Sequence, residues 1–228
     1  MTTIGNLIER VTTLYSKGVN SDDVRAGGRH IYHKLKSVRN KLITQQLKKR
    51  QVISDWNYTL LPCVELIRVS DVDCPCIPDV GCYVYRTKNK LPKILTNLNK
   101  HIIQFVMNVT SGKVISETSR EEYIFNAGNK YTSNDLKYIL ESGYLYVYGK
   151  DIPKLIKIKL LAEDPIEAAD FPSICGNDCK DCECESMLDK IFPIDGDLVD
   201  TLIEMSVLEL IEMFSKGKED KNNNTSDD

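Results

Sequence analysis

The sequence predicts an α+β protein in which N- and C-terminal helices form a helical bundle around an inserted antiparallel β-rich domain. Three observations carry that prediction: apolar residues at helical spacing near both ends, a central run of short β-forming segments divided by turn residues, and opposite charge at the two ends. The 228 residues are 42% apolar and 28% charged, with 12 Gly and 8 Pro. That is the balance of a folded globular chain, with room for one embellished domain or two small ones.

Residues Ile4, Leu7, Ile8, Val11 and Leu14 recur at three- and four-residue spacing on one helix face, and Gly18 is placed to end that helix. Ser21 suits the cap of a second helix, with Asp22 and Asp23 in a first turn where carboxylates complement the dipole. Ile31, Leu35, Val38 and Leu42 form its apolar stripe, while Lys34, Lys36, Arg39, Lys41, Lys48, Lys49 and Arg50 occupy the other sides. Carried to Gln51, this helix is a rod of roughly 40 Å, longer than a small domain needs, and such a rod packs against partners.

From Trp56 the pattern changes. β-Formers fill Tyr58 to Val69, interrupted by Pro62, and the Cys-Pro-Cys-Ile-Pro stretch at 74–78 follows. Further strands are expected at Gly81–Tyr85, Ile102–Val109, Lys113–Glu117, Glu122–Asn126, Leu136–Leu140, Tyr144–Tyr148 and Ile152–Leu161. Turn chemistry separates them at Ser111-Gly112, Ala127-Gly128-Asn129 and Ser142-Gly143. Short strands with tight turns argue for an antiparallel sheet rather than βαβ units.

Residues 165–194 lack apolar periodicity and hold four cysteines among many acids, which reads as an ordered loop. From Asp197 to Phe214 a last helix is apolar over most of its circumference, so it must be buried on several sides. The expected organisation is a helical hairpin (1–55), a β-rich domain (56–164), a Cys-rich acidic loop (165–194), a helix returning to the bundle (195–215) and a mobile polar tail (216–228).

Charge is distributed unevenly. Residues 1–50 hold 11 Lys/Arg against 3 Asp/Glu, residues 51–150 hold 11 against 10, and residues 151–228 hold 8 against 20. A basic arm is one signature of nucleic-acid binding. An arm and tail of opposite sign also attract each other, within one subunit or between neighbours, and this is the favoured reading because such complementarity sets register and partner choice. The contact candidates are Arg29, Lys36, Arg39 and Lys41 on the basic helix, and Leu198, Leu202, Met205, Leu210, Met213 and Phe214 on the last helix.

No apolar run reaches the roughly 18 to 20 residues of a membrane span, and Met1–Leu14 lacks the layout of a signal peptide. A reducing cytosol is therefore expected, where four disulfides from eight cysteines is the weaker reading and the sequons at Asn57 and Asn108 carry no meaning. Cys175, Cys179, Cys182 and Cys184 place four thiols in ten residues, with Cys74, Cys76 and Cys82 as a second cluster. Zinc takes four thiolates, but this spacing is tighter than paired knuckles, and reduced thiols in a turned loop are the alternative.

His30 and His33 fall on a basic solvated face, and His101 stands alone in the sequence. The acidic pairs Asp197/Asp200 and Asp200/Glu204 read as a solvated or subunit-facing stripe. Gly27-Gly28-Arg29 lacks the Lys-Ser/Thr of a phosphate loop, and there is no nucleophile elbow or His-Glu-x-x-His pair, so an enzyme has no residues to rest on. Tyr32 and Trp56 are the aromatic residues near the arm, and apolar packing is their simpler use.

The stretch Trp56-Asn57-Tyr58-Thr59-Leu60-Leu61-Pro62-Cys63-Val64-Glu65-Leu66-Ile67, with Cys74-Pro75-Cys76 and Leu91-Pro92-Lys93-Ile94, resembles neck proteins of crAss-like bacteriophages. The likeness continues through Ala162–Ala168, the cysteine cluster and Phe192–Asp197, and with the N-terminal helices covers nearly the whole chain. It implies a ring-forming head-to-tail adaptor beneath the portal, commonly a dodecamer, with helices bundled beside a β-rich part. Viral double-stranded DNA would pass through its lumen without specific binding. The family has no catalytic motif to transfer. A virion structural protein is thus the expected function, and a DNA-binding regulatory or packaging protein using the basic N-terminal helices is its rival.

Overall fold

A computed structural model describes residues 2–16, 26–70, 83–98, 100–127, 135–175 and 186–215. The expected features at Gly18, Ser21–Asp23, Cys74–Cys82, Gly128-Asn129, Cys179, Cys182, Cys184 and the tail from Lys216 lie outside the described residues. The chain divides into two units, Met1–Ile53 with Glu185–Asp228, and Ser54–Cys184.

In the first unit, Thr3 caps α1 (Ile4–Tyr15), its side chain accepting from the Asn6 amide. The first two amides of α1 find backbone partners instead: Ile4 donates to Lys190 O at 3.0 Å and Gly5 to Leu188 O at 2.8 Å. Gly5 is needed for this approach, because a Cβ there would lie 3.1 Å from Leu188 O. Ile4, Leu7 and Val11 are buried as the spacing predicts, whereas Leu14 is exposed.

Helix α2 (Gly28–Lys48) starts later than expected. Ala26 and Gly27 are not helical, so the rod spans 21 residues, about 30 Å, rather than roughly 40 Å. Its buried residues include the predicted Ile31, Leu35, Val38 and Leu42, together with Tyr32, Ile43 and Arg39. Arg39 corrects the expectation of a basic outer position. It is fully buried; its Nε donates to Pro193 O at 2.7 Å and its guanidinium lies 5.9 Å from the Phe192 ring centroid. Phe192 in turn meets Tyr32 edge-on. A single cation thus satisfies a backbone carbonyl beneath an aromatic lid.

The last helix, α5 (Gly196–Ser215), packs on both α1 and α2. Val199, Leu202, Ile203 and Leu210 are buried, and Ser206 returns its hydroxyl to Leu202 O at 2.7 Å.

The second unit is β-rich and antiparallel but for one pair, as expected, and its sheet closes into a barrel. Its strands are β1 (Thr59–Ser70), β2 (Tyr83–Thr87), β5 (Ile103–Asn108), β6 (Val114–Glu117), β7 (Lys137–Glu141), β8 (Tyr144–Tyr148) and β9 (Leu155–Leu160), with β3 (Thr96–Asn97) and β4 (Lys100–His101) as a separate hairpin. Around the barrel the order is β1-β2-β8-β7-β6-β5-β9. β1 closes it by pairing along its first half with β9 and along its second with β2. Pro62 does not end this strand. The register with β9 shifts between Leu61 and Val64, and that irregularity accommodates a residue with no amide to donate.

One pair, β6 with β7, is parallel. Parallel neighbours need a crossover, and here it carries α3 (Arg120–Ala127), where the alternation had suggested a strand at Glu122–Asn126. The Glu122 amide donates to Ser119 Oγ at 3.1 Å, so Ser119 caps a helix whose first turn holds Glu121 and Glu122. β7 and β8 are joined by Ser142-Gly143, both at positive φ (53° and 82°), as a two-residue hairpin turn requires.

The interior is filled by Leu61, Val64, Val106, Ile115, Leu145, Val147, Ile156, Ile158 and Leu160, all buried. After β9, Asp164 caps α4 (Pro165–Ala169), accepting from the Ile166 amide at 3.0 Å. Residues 165–194 therefore divide between the units and include a short helix and buried core residues, Ala168 in one unit and Phe192 and Ile194 in the other.

Beyond α4, Cys175 forms a disulfide with Cys63 of β1, with Cα atoms 5.5 Å apart. This corrects the expectation of free thiols for both residues.

Two measurements check these contacts. Arg39→Met leaves the Pro193 carbonyl without its donor and should cost about 2–3 kcal/mol in urea unfolding. Joint Cys63→Ser and Cys175→Ser replacement opens a covalent loop spanning 112 residues. It should lower stability by about 2–4 kcal/mol, and reductant should bring the wild-type chain to the same midpoint.

Candidate functional site

Three ion pairs answer some of the helix charges inside the chain. Glu209 on α5 reaches both Lys34, at 3.2 Å, and Lys41, the latter by a short contact, so one carboxylate ties α5 to two turns of α2. Burial pushes the Glu209 carboxyl upward, but the two ammonium groups outweigh it and hold it below the usual carboxylate range. Arg10 of α1 pairs with Asp200 of α5 at 2.8 Å across exposed surface. The opposite charges read from the sequence therefore meet within one subunit at these residues.

Of the contact candidates on α2, Arg29 is exposed, Lys36 is half-buried, Lys41 is engaged with Glu209, and Arg39 is enclosed in the core on Pro193 O. On α5, Leu202 and Leu210 are spent on the chain's own packing. Leu198 and Met205 are half-buried, Phe214 stacks at a tilt on Tyr15 with centroids 6.1 Å apart, and Met213 is exposed. Two residues not singled out in the sequence complete the exposed set: Leu208 is 61% exposed and Ile211 is 48% exposed. At i and i+3 they continue the row of Asp197, Thr201 and Glu204 along one face of the helix. α5 is thus covered by its own chain on one side and carries apolar side chains outward on another.

The barrel unit exposes a second apolar area. Its inward residues define the opposite, outward set by alternation. Leu60 faces Lys159, which faces Phe105, in a row across β1, β9 and β5, and Lys157 faces Met107 in a shorter row across β9 and β5. Leu60 is exposed, and Phe105 and Met107 are half-buried. Trp56, expected in apolar packing, is instead 59% exposed. Beside it, Asp55 accepts from Lys159 at 3.0 Å and from Gln104 at 3.1 Å; these bonds hold its carboxyl below the ordinary value.

A cleft of about 630 Å³ lies between Leu91, Pro92, Ile94 and Leu140, rimmed by Lys90, Lys93, His101, Glu163 and Glu167. Its rim mixes both signs. Burial raises the Tyr138 and Tyr148 phenols well above their ordinary value, so both are neutral packing groups at neutral pH. Among the described residues, no three His, Cys, Asp or Glu side chains converge as a metal-binding set. Cys175, a candidate ligand by sequence, is bonded to Cys63, and its three proposed companions lie outside the described residues. No helix among the described residues is long and apolar enough to cross a membrane.

These surfaces define a class: an α+β protein with a helical unit, a barrel unit, and apolar side chains held outward on each. Residues 6–228 match the family model described as phage tail ring protein 2, and the chain belongs to that family. It is similar to "Ring protein 2" of Bacteroides phage crAss001, with 30% identity over 225 residues, covering 92% of this chain and 91% of that one. The likeness to crAss-like phage ring proteins read from the sequence is borne out.

The α2–α5 clamp gives a test with a defined sign. The Glu209 carboxyl is depressed in the folded state, so its contribution is present above the unfolded value near pH 4.5 and fades as pH falls through the folded value. Glu209→Gln should cost about 0.5–1 kcal/mol at pH 7. The gap from wild type should narrow as pH falls below that unfolded value and close once the folded carboxyl is protonated, with unfolding followed by circular dichroism.

Proposed function

We propose that this chain is a non-catalytic virion structural subunit that closes with identical copies into a ring. In this reading the ring is a dodecameric head-to-tail connector in the neck. It lies beneath the portal, joins capsid to tail, and lets viral double-stranded DNA pass without specific contact. It assembles in the bacterial cytoplasm and needs no cofactor.

The observation that carries the reading is the exposure of Leu208, Ile211 and Met213 on α5 in a chain belonging to a family of tail ring proteins. Exposed apolar side chains flanked by charged ones are the usual mark of a protein–protein interface. Head-to-tail contacts between identical subunits make rings when their rotation closes.

The DNA-binding alternative loses its main support. Lys34 and Lys41 share the Glu209 carboxylate, which offsets one of their two charges, and Arg39 is buried, so the basic helix offers phosphate fewer cations than its sequence suggests.

Co-expression with the portal of the same phage tests the proposal. The expected result is a complex containing a multiple of the chain's 25.9 kDa, with twelve copies by native mass spectrometry. Retention on DNA should be negligible at about 0.15 M salt. Salt-sensitive DNA binding by a chain that stays monomeric and ignores the portal would restore the alternative.

A further inference from the structure

The ring reading leaves open which surfaces meet. The outward row of α5 is acidic at its start, with Asp197 and Glu204, and apolar toward its end, with Leu208 and Ile211. Its counterpart must offer apolar side chains to the two aliphatic residues and cations to the carboxylates. The outer face of α2 meets only half of this demand. Its exposed side chains are Arg29, His30, His33, Ser37, Lys41, Gln45 and Lys48, none of them a large apolar one.

The barrel's outer face meets both. Trp56, Leu60, Phe105 and Met107 supply aromatic and aliphatic surface, and Lys157 stands in register with Met107 among them. Lys159 is already held by Asp55, which leaves Lys157 to answer an incoming carboxylate.

We propose that the acidic-apolar face of α5 in one copy docks on the Trp56–Leu60–Phe105–Met107 face of the barrel in the next, with Glu204 directed to Lys157. This inference rests on the ring reading and assigns its interface. The contact is heterologous: each copy offers a different surface to each neighbour, so it propagates around a ring and leaves no copy unsatisfied when the ring closes. Leu208 and Ile211 would form its dry centre, with Trp56 as the large anchor and the charges at the rim setting register.

The test uses the full chain assembled with its portal, carrying p-benzoylphenylalanine at Leu208. Irradiation should cross-link ring-sized species to peptides containing Trp56, Leu60 or residues 103–108, and the monomer fraction should lack these products. Glu204→Lys and Lys157→Glu should each weaken ring assembly by about tenfold, and the two together should recover most of that loss. Cross-links from intact rings to α2, or to α5 of the neighbour, overturn this interface and leave the ring reading standing. A swap that fails to recover assembly overturns the Glu204–Lys157 pairing. Absence of any species above monomer, with or without the portal, removes the ring reading and this interface with it.

Discussion

Helix α5 carries more apolar surface than α1 and α2 cover, and the helical unit is organised around that imbalance. One side of α5 supplies Val199, Leu202, Ile203 and Leu210 to the core. Glu209 then fixes the helix to α2 through two lysines, and Asp200 ties it to Arg10 of α1. With its rotation set in this way, Leu208 and Ile211 are held outward. Apolar side chains fixed in solvent are costly for a solitary molecule and useful to one that joins copies of itself.

The barrel solves a different problem. An open sheet of this size would leave two unpaired edges, which invite indiscriminate strand addition. Closure through β1, shared between β9 and β2, removes them. What remains for recognition is side-chain chemistry on the outer surface, which is selective where backbone pairing is not. The Cys63–Cys175 bond fastens the segment after α4 to β1, near the register shift at which Pro62 is accommodated.

Much of the architecture was legible because it follows from local periodicity. The helical faces of α1 and α2, most strands and the Ser142-Gly143 turn were all visible as spacing and turn chemistry. Barrel closure was not, because it depends on which strands pair at long range, and alternation says nothing about that. α3 was misread for a local reason: Tyr123, Ile124 and Phe125 suggest a strand, while the deciding signal is a single Ser119–Glu122 cap at the N-terminal end of a short helix. Among the contact candidates, Arg39 was misplaced because long cations are normally exposed, and only the Pro193 carbonyl and Phe192 ring, far away in sequence, make its burial tolerable. Leu208 and Ile211 were overlooked since a helix apolar nearly all round does not reveal which residues its own chain will cover. The outer barrel face was missed because alternation over Ile103–Asn108 points to Phe105 and Met107 as the inward side, whereas the folded barrel buries Val106 and turns those two outward.

The helical unit is built from the two ends of the chain, with α2 finishing at Lys48 and α5 beginning at Gly196. During translation α1 and α2 must therefore wait for roughly 150 further residues, about 7–30 s at ordinary bacterial elongation rates, before the helix that completes their core leaves the ribosome. A polypeptide released early possesses the barrel yet lacks α5 altogether. Such a fragment has neither a finished helical core nor the outward face of that helix, so a prematurely terminated product could accept a neighbour on its barrel but could not hand the contact on to a further copy.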